Sequence, residues 1–358
     1  NTGGWPKNID MAKNMTDAPE EPSRASHAAN PSAPGSCETV AVLGAGTWGA
    51  VLAEVFARLP VAPVVRLWTP TGKHLAELRD ARRHPHLPDL RLSPEILVTS
   101  NETDVLAGAR IVVVAVASRY VREALKRTSP YVAPDALVVI ASKGMEAATG
   151  KTLSEVVADV LPGRRIVVAS GGSHAEEVVN NLPFGLTLAG EKDDCVRVEL
   201  LFAATHGRFA HCTNVKGIEI AASLKNVVAV VAGIAAGVQL GDNFRACYLV
   251  DALAEIGRFA REISGAPLDP LQYGVFGDLL ATALSSHSRN FRYGMLRGEG
   301  LSGKAALEAI DMVVEGIQSA QSLLTRSLED FPVLKKSAEI VLDDEHYDAH
   351  ALARRLGY

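Results

Sequence analysis

Residues 39–43 form a short apolar run that gives way to Gly44-Ala45-Gly46-Thr47-Trp48-Gly49, after which apolar positions over 50–59 recur at helical spacing. The order predicts strand, glycine turn and helix. A second strand is predicted at 64–68, about thirty residues after the first begins, which is the length of a right-handed βαβ unit. Further β-branched runs at 111–116, 136–140 and 165–169 alternate with helical stretches at 118–126 and 153–161. Unbroken apolar strands, unlike alternating ones, suit a mostly parallel sheet covered on both faces. Beyond about residue 215 the pattern changes, since 218–237, 243–264, 302–325 and 332–342 all suit helices and no strong strand run follows. The chain thus divides into an α/β domain over 39–216 and an all-α domain over 217–358.

Residues 1–38 carry five prolines among Asn, Ser, Ala and acidic residues with no periodic apolar pattern, and read as a disordered extension or an expression remnant. The longest charge-free apolar run, 227–240, is shorter than the roughly 20 residues that cross a bilayer and reads as a buried helix. The whole chain has 41 acidic residues against 36 Lys plus Arg, a net charge of −5. Such a balance offers no general attraction to nucleic acid or anionic lipid, so the expected partners are small anions met by a local cluster of donors. Cys37, Cys195, Cys212 and Cys247 show neither metal-cage nor disulfide-scaffold spacing, which fits a reducing cytoplasm. His174 and the pair His84 and His86 make no metal-ligand pattern with nearby acids, and no metal is expected.

The spacing Gly44-x-Gly46-x-x-Gly49 has a mechanical meaning. Its first glycine permits a tight turn, its second lets backbone amides approach a pyrophosphate, and its third lets helix and strand pack closely. Between a strand and a helix it indicates a Rossmann-like dinucleotide site. No carboxylate follows the second strand, where Thr69-Pro70-Thr71-Gly72-Lys73 stands, so nothing repels a 2′-phosphate. Lys73, or Arg66 if it turns outward, is a candidate partner for that phosphate; NADP is favoured, with NAD open.

Lys225 has Ala221, Ala222, Val228 and Ala229 as its helical neighbours. It is either a snorkelling residue at the core edge or a desolvated amine whose pKa is driven toward working pH. Lys143 lies just past the carboxyl end of a predicted strand, where parallel sheets place ligands. Asp278 either caps a helix or orients a cationic base. Ser288-Arg289-Asn290 combines a hydroxyl, a planar guanidinium and an amide, a set suited to a phosphate, although a solvated loop has the same composition.

Taken together, the segments Gly44 to Gly49, Ser142-Lys143-Gly144-Met145-Glu146, Leu224-Lys225-Asn226-Val227, Gly241-Asp242-Asn243, Phe276-Gly277-Asp278-Leu279, Ser288-Arg289-Asn290 and Val313-Val314-Glu315-Gly316 resemble the bacterial-type NAD(P)-dependent glycerol-3-phosphate dehydrogenase family. The resemblance implies interconversion of dihydroxyacetone phosphate and sn-glycerol 3-phosphate, feeding glycerophospholipid synthesis, by a homodimer. It also implies Lys225 as proton acceptor, Lys143 and Asp278 beside it, and Gly171, Ser173, Ser288, Arg289 and Asn290 around the substrate. Thr47, Trp48, Lys143, Ala175, Arg289, Val313 and Glu315 match cofactor positions. The chain departs from the family at Ser170-Gly171-Gly172-Ser173, where Gly172 replaces a usual proline and loosens a substrate loop. That departure keeps open a related dehydrogenase for another small hydroxy acid or phosphorylated alcohol. A catalytically silent dinucleotide sensor is the alternative of a different class.

Overall fold

The computed structural model describes residues 38–72, 74–310 and 313–358. The expectation for 1–38 therefore lies, apart from Glu38, outside the described residues, as does Lys73. Eight strands make one sheet: β1 (Thr39–Leu43), β2 (Val64–Trp68), β3 (Leu97–Thr99), β4 (Ala109–Val114), β5 (Leu137–Ile140), β6 (Arg165–Ser170), β7 (Phe184–Ala189) and β8 (Gly207–Cys212). Their order is β3-β2-β1-β4-β5-β6-β7-β8, parallel throughout except where β7 runs against β6. Alternate residues of β1 point into different cores, Val40 and Val42 into one, Ala41 and Leu43 into the other, so the sheet is covered on both faces.

All five strands predicted from apolar runs are present, with β4 starting and ending two residues early because Ala115 turns beneath Gly44. Strands β3, β7 and β8 carry no such run. The helix after the glycine turn is Thr47–Ala57, and Ser118–Tyr120 is a 3-10 turn that precedes the helix Val121–Thr128. After β8 the chain is helical, beginning with the long helix Val215–Gly237, called the central helix below, capped by the Asn214 side chain, which accepts from the Gly217 amide at 2.8 Å. By length and composition this helix resembles a membrane span, but it lies inside the fold, packed with Val112 and Val138 of the sheet.

The single helix expected over 302–325 is a correction: the structure has separate helices Gly303–Ile310 and Glu315–Leu323, with Val314 in extended conformation between them. The break lets Gly316 press against the Asn226 carbonyl of the central helix, an approach that leaves no room for a Cβ. A closer contact joins the central helix to Arg289–Gly298. A Cβ on Gly233, Gly237, Gly294 or Gly298 would fall inside van der Waals contact with backbone of the facing helix. Here the two backbones touch directly.

Candidate active site

The glycine turn has the shape that an anion requires. Gly44 adopts φ +118°, closed to side-chain-bearing residues, and a Cβ there would lie 2.7 Å from the Ala115 carbonyl carbon. Gly49 packs against the Gly44 carbonyl. At Gly46, by contrast, a Cβ would meet nothing within 4 Å, so the turn is open on the side where a pyrophosphate approaches. Gly46 caps the helix Thr47–Ala57 without any side-chain bond, leaving its first amides free for an anion. These residues fit a dinucleotide. The buried His84 imidazole braces the turn by bonding to the Ala45 backbone; burial lowers its pKa to about 4 and keeps it neutral.

Arg66 does not reach toward this site. Its guanidinium donates to the carbonyls of Asp104 at 2.6 Å and Ala107 at 2.7 Å, satisfying the end of the helix Glu102–Leu106. The expectation that it might pair with a 2′-phosphate is therefore corrected.

Across the sheet's carboxyl edge, three charged residues from distant parts of the chain meet. Asp278, 2% exposed, opens the helix Asp278–Ala283, and its Oδ1 lies 2.5 Å from Lys225 Nζ. Lys143 Nζ donates to the same carboxylate at 3.0 and 3.1 Å and to the Gly171 carbonyl at 2.8 Å. Thr282, one helical turn beyond Asp278, accepts from Lys225 at 2.7 Å. The Asp278 carboxylate is thus spent on two lysines, with no bond from it to the backbone of its helix. The snorkelling reading of Lys225 fails, because the residue is only 4% exposed.

Burial lowers the Lys225 amine to about 8 against the attraction of Asp278, with Lys143 adding repulsion. Burial acts on Asp278 in the opposite sense, raising it, but the two lysines together hold its carboxyl below the usual range. The cluster thus sets a carboxyl held below its usual range beside an amine held below its own.

The remaining expected residues separate into groups. Arg289, partly exposed at the start of its helix, has no hydrogen-bond or ion-pair partner among the described residues. Ser288 Oγ accepts from the Phe291 amide at 3.2 Å, capping that helix. Asn290 is committed at both ends of its amide, donating to Asn226 at 3.0 Å and accepting from the Gly316 amide at 2.9 Å. These two bonds tie three helices together and leave one amide hydrogen of Asn290 unused by them. Glu315 accepts from Asn226 at 3.3 Å, one residue from Lys225; Val313 lies partly exposed nearby in sequence. Ala175 is buried at the start of the short helix Ala175–Val178, and Ser173 Oγ donates to the Gly171 carbonyl at 3.4 Å.

Gly172 is less free than its type suggests. A Cβ there would lie 2.9 Å from the Ala281 methyl and 3.3 Å from the Gly277 carbonyl, so the loop rests on the Asp278 helix. His174 pins the loop there through the Ala281 carbonyl at 3.0 Å. Thr282 and Asn226 were not singled out from sequence as site residues. Thr282 alone had a local signal, its i+4 spacing from Asp278.

Residues 39–196 match the family described as NAD-dependent glycerol-3-phosphate dehydrogenase N-terminus, and residues 214–351 match its C-terminus. The chain belongs to this family. Among relatives, it is 35% identical over 330 residues to glycerol-3-phosphate dehydrogenase [NAD(P)+] of Shouchella clausii, covering 89% of this chain and 96% of that one. It is 37% identical over 292 residues to the Bacillus velezensis protein of the same name, covering 79% and 83%. The crystal structure of glycerol-3-phosphate dehydrogenase from Coxiella burnetii superposes with a TM-score of 0.82 at 28% identity, covering 90% of this chain and 99% of that chain.

Proposed function

We propose that the Lys225, Asp278 and Lys143 cluster is the reaction centre of this enzyme, which interconverts dihydroxyacetone phosphate and sn-glycerol 3-phosphate with NAD or NADP. The observation that carries the assignment is a buried amine, lowered to about 8 and held 2.5 Å from a carboxylate at the sheet edge. When bound at the glycine turn, a nicotinamide would supply the hydride acceptor and donor for C2. As C2 loses hydride, neutral Lys225 accepts the hydroxyl proton; in reverse its ammonium returns a proton to the carbonyl oxygen. Asp278 aims both lysines, and Lys143 polarises the C2 oxygen. Arg289, with the first amides of its helix behind Ser288, takes the phosphate and sets C2 at a fixed distance from the base.

The Gly44 to Gly49 turn and the helix Thr47–Ala57 would hold the pyrophosphate, with Thr47 and Trp48 at its mouth. In this reading residues 39–216 bind the dinucleotide and 217–358 supply most of the substrate contacts. The free thiols of Cys195, Cys212 and Cys247 support a reducing cytoplasm, and family likeness supports a homodimer without nucleic acid or membrane partners. Purified protein mixed with dihydroxyacetone phosphate and NADPH or NADH is expected to consume the reduced cofactor at 340 nm. Tight cofactor binding without turnover of any small phosphorylated ketone would overturn the reading.

A further inference from the structure

The loop Gly171-Gly172-Ser173-His174 joins β6 to the short helix Ala175–Val178 and carries, in the Gly171 carbonyl, the acceptor of Lys143 that Asp278 does not supply. Three oxygens fix Lys143 Nζ: that carbonyl at 2.8 Å and the two Asp278 carboxylate oxygens at 3.0 and 3.1 Å. Where the loop sits therefore decides where the ammonium sits. Strand β7 backs the loop on one side, since a Cβ on Gly171 would lie 2.0 Å from the Gly185 carbonyl oxygen. On its other side the loop meets the helix Asp278–Ala283, and Gly172 has no side chain with which to hold it. The Ser173 hydroxyl turns back to the Gly171 carbonyl at 3.4 Å.

That leaves His174. It stands at the cap position of the helix Ala175–Val178 yet makes no capping bond. Its Nε2 instead donates to the Ala281 carbonyl at 3.0 Å. The helix Asp278–Ala283 ends two residues after Ala281, so this carbonyl is one of the terminal acceptors that a helix leaves open. The His287 ring, from the loop that leads to Ser288 and Arg289, has its centroid 5.7 Å from that of His174. One imidazole thus ties the loop holding Lys143 to the helix carrying Asp278 and Thr282.

We propose that His174 is a positioning residue for Lys143: its bond to Ala281 sets the Gly171 carbonyl at a fixed distance from the Asp278 carboxylate, and so places the ammonium between them. An ammonium that turns one hydrogen from Asp278 to the C2 oxygen keeps the Gly171 carbonyl as its support. With the latch cut, the loop drifts from the helix and takes that support with it. A displacement on the order of 1 Å costs up to about 100-fold in rate. The bond also supplies the order that Gly172, as a glycine, does not give the loop by itself. This inference rests on the part given to Lys143 above.

The test compares wild type, His174→Phe and His174→Gln, reading kcat and KM for dihydroxyacetone phosphate, cofactor Kd and the thermal midpoint. Phenylalanine keeps a ring against His287 and removes the donor, whereas glutamine keeps an N–H donor. His174→Phe is expected to lower kcat by about 10–100-fold while KM and cofactor Kd change less than about threefold, and His174→Gln to recover most of that loss. A lowered thermal midpoint with kcat unmoved, or equal loss of kcat in both variants, would overturn the proposal in favour of a bond that only stabilises the loop. A second arm adds His174→Phe to Lys143→Met. A residue that acts through Lys143 costs less than about twofold more in that background, and a further loss as large as in wild type overturns the proposal.

If His174→Phe does not fold, or Lys143→Met is too slow to read, Gly172→Ala decides. Its Cβ would fall 2.9 Å from the Ala281 methyl and lift the loop, so kcat is expected to drop and to return when Ala281→Gly is added. A kcat unmoved by Gly172→Ala, or not restored in the pair, overturns the proposal. Lys143→Met as active as wild type would sink the part given to Lys143, whereas impaired Lys143→Met beside intact His174→Phe sinks only the part given to His174.

Discussion

Replacing Asp278 by Asn removes one negative charge from between the buried Lys225 and the partly exposed Lys143 ammonium groups while keeping the side chain's shape. The Lys225 amine then loses the partner 2.5 Å away that opposes its desolvation. At an effective dielectric of about 20, unit charges about 4 Å apart interact by about 4 kcal/mol. One pKa unit is about 1.4 kcal/mol, so an interaction of that size is worth about 3 units. Carboxylate partners usually shift such groups by about 1–3 units. From its starting point of about 8, Lys225 is therefore expected to titrate at roughly 5–7 in the variant. Ketone reduction needs the ammonium, so kcat/KM for dihydroxyacetone phosphate is level below the Lys225 pKa and falls above it. Oxidation of glycerol 3-phosphate needs the neutral amine and shows the mirror-image limb. The overall equilibrium links the directions, so both breaks move to acid. The assay is kcat/KM at saturating cofactor from pH 5.5 to 9.5 for each direction, with cofactor affinity measured separately as a check on folding. A break displaced by less than about 0.3 unit, or displaced to alkali, would refute the coupling of this carboxylate to the base.

Three further outcomes are expected. Lys225→Met should lower kcat by about 10²–10⁴ while the cofactor Kd from fluorescence titration changes little, and a variant retaining most of its rate would remove Lys225 from proton transfer. Gly46→Ala should weaken cofactor binding with an unaltered thermal midpoint, since its Cβ meets no protein atom within 4 Å; Gly294→Ala should instead cost about 1–3 kcal/mol in denaturant unfolding through overpacking on Val230. Arg289→Ala should raise KM for phosphorylated substrate far more than for glyceraldehyde or another uncharged analogue, and equal losses for both would contradict the phosphate role.

The sheet was readable where side chains on both faces are apolar, as in Ile111 to Val114 or Leu137 to Ile140, because burial leaves no choice of residue there. Strand β7 interrupts its apolar residues with Gly185 and Thr187, which accommodate Tyr273 and the Gly274 amide, and β8 is only half covered, so neither carried the pattern. Lys225 was legible as an amine on an apolar helix face, yet its neighbours in sequence could not decide between a core-edge lysine and a base. The decision comes from Asp278 and Thr282, which only the fold brings to it. The phosphate loop was the hardest to read. Its composition suits a ligand, but the packing bonds that Ser288 makes to its own helix and Asn290 to two others come only from the fold, while the Arg289 guanidinium has no side-chain partner among the described residues.

The contact through Gly233, Gly237, Gly294 and Gly298 sets the helix of Lys225 against the helix of Arg289 in main chain, so in the proposed mechanism the span from proton donor to anion anchor is a ruler. Side-chain changes lining the pocket can alter the width or polarity of what is accepted, but not that length. Redesign toward a longer carbon chain would have to insert bulk along this seam, and each added methyl would loosen the scaffold that keeps the ruler straight.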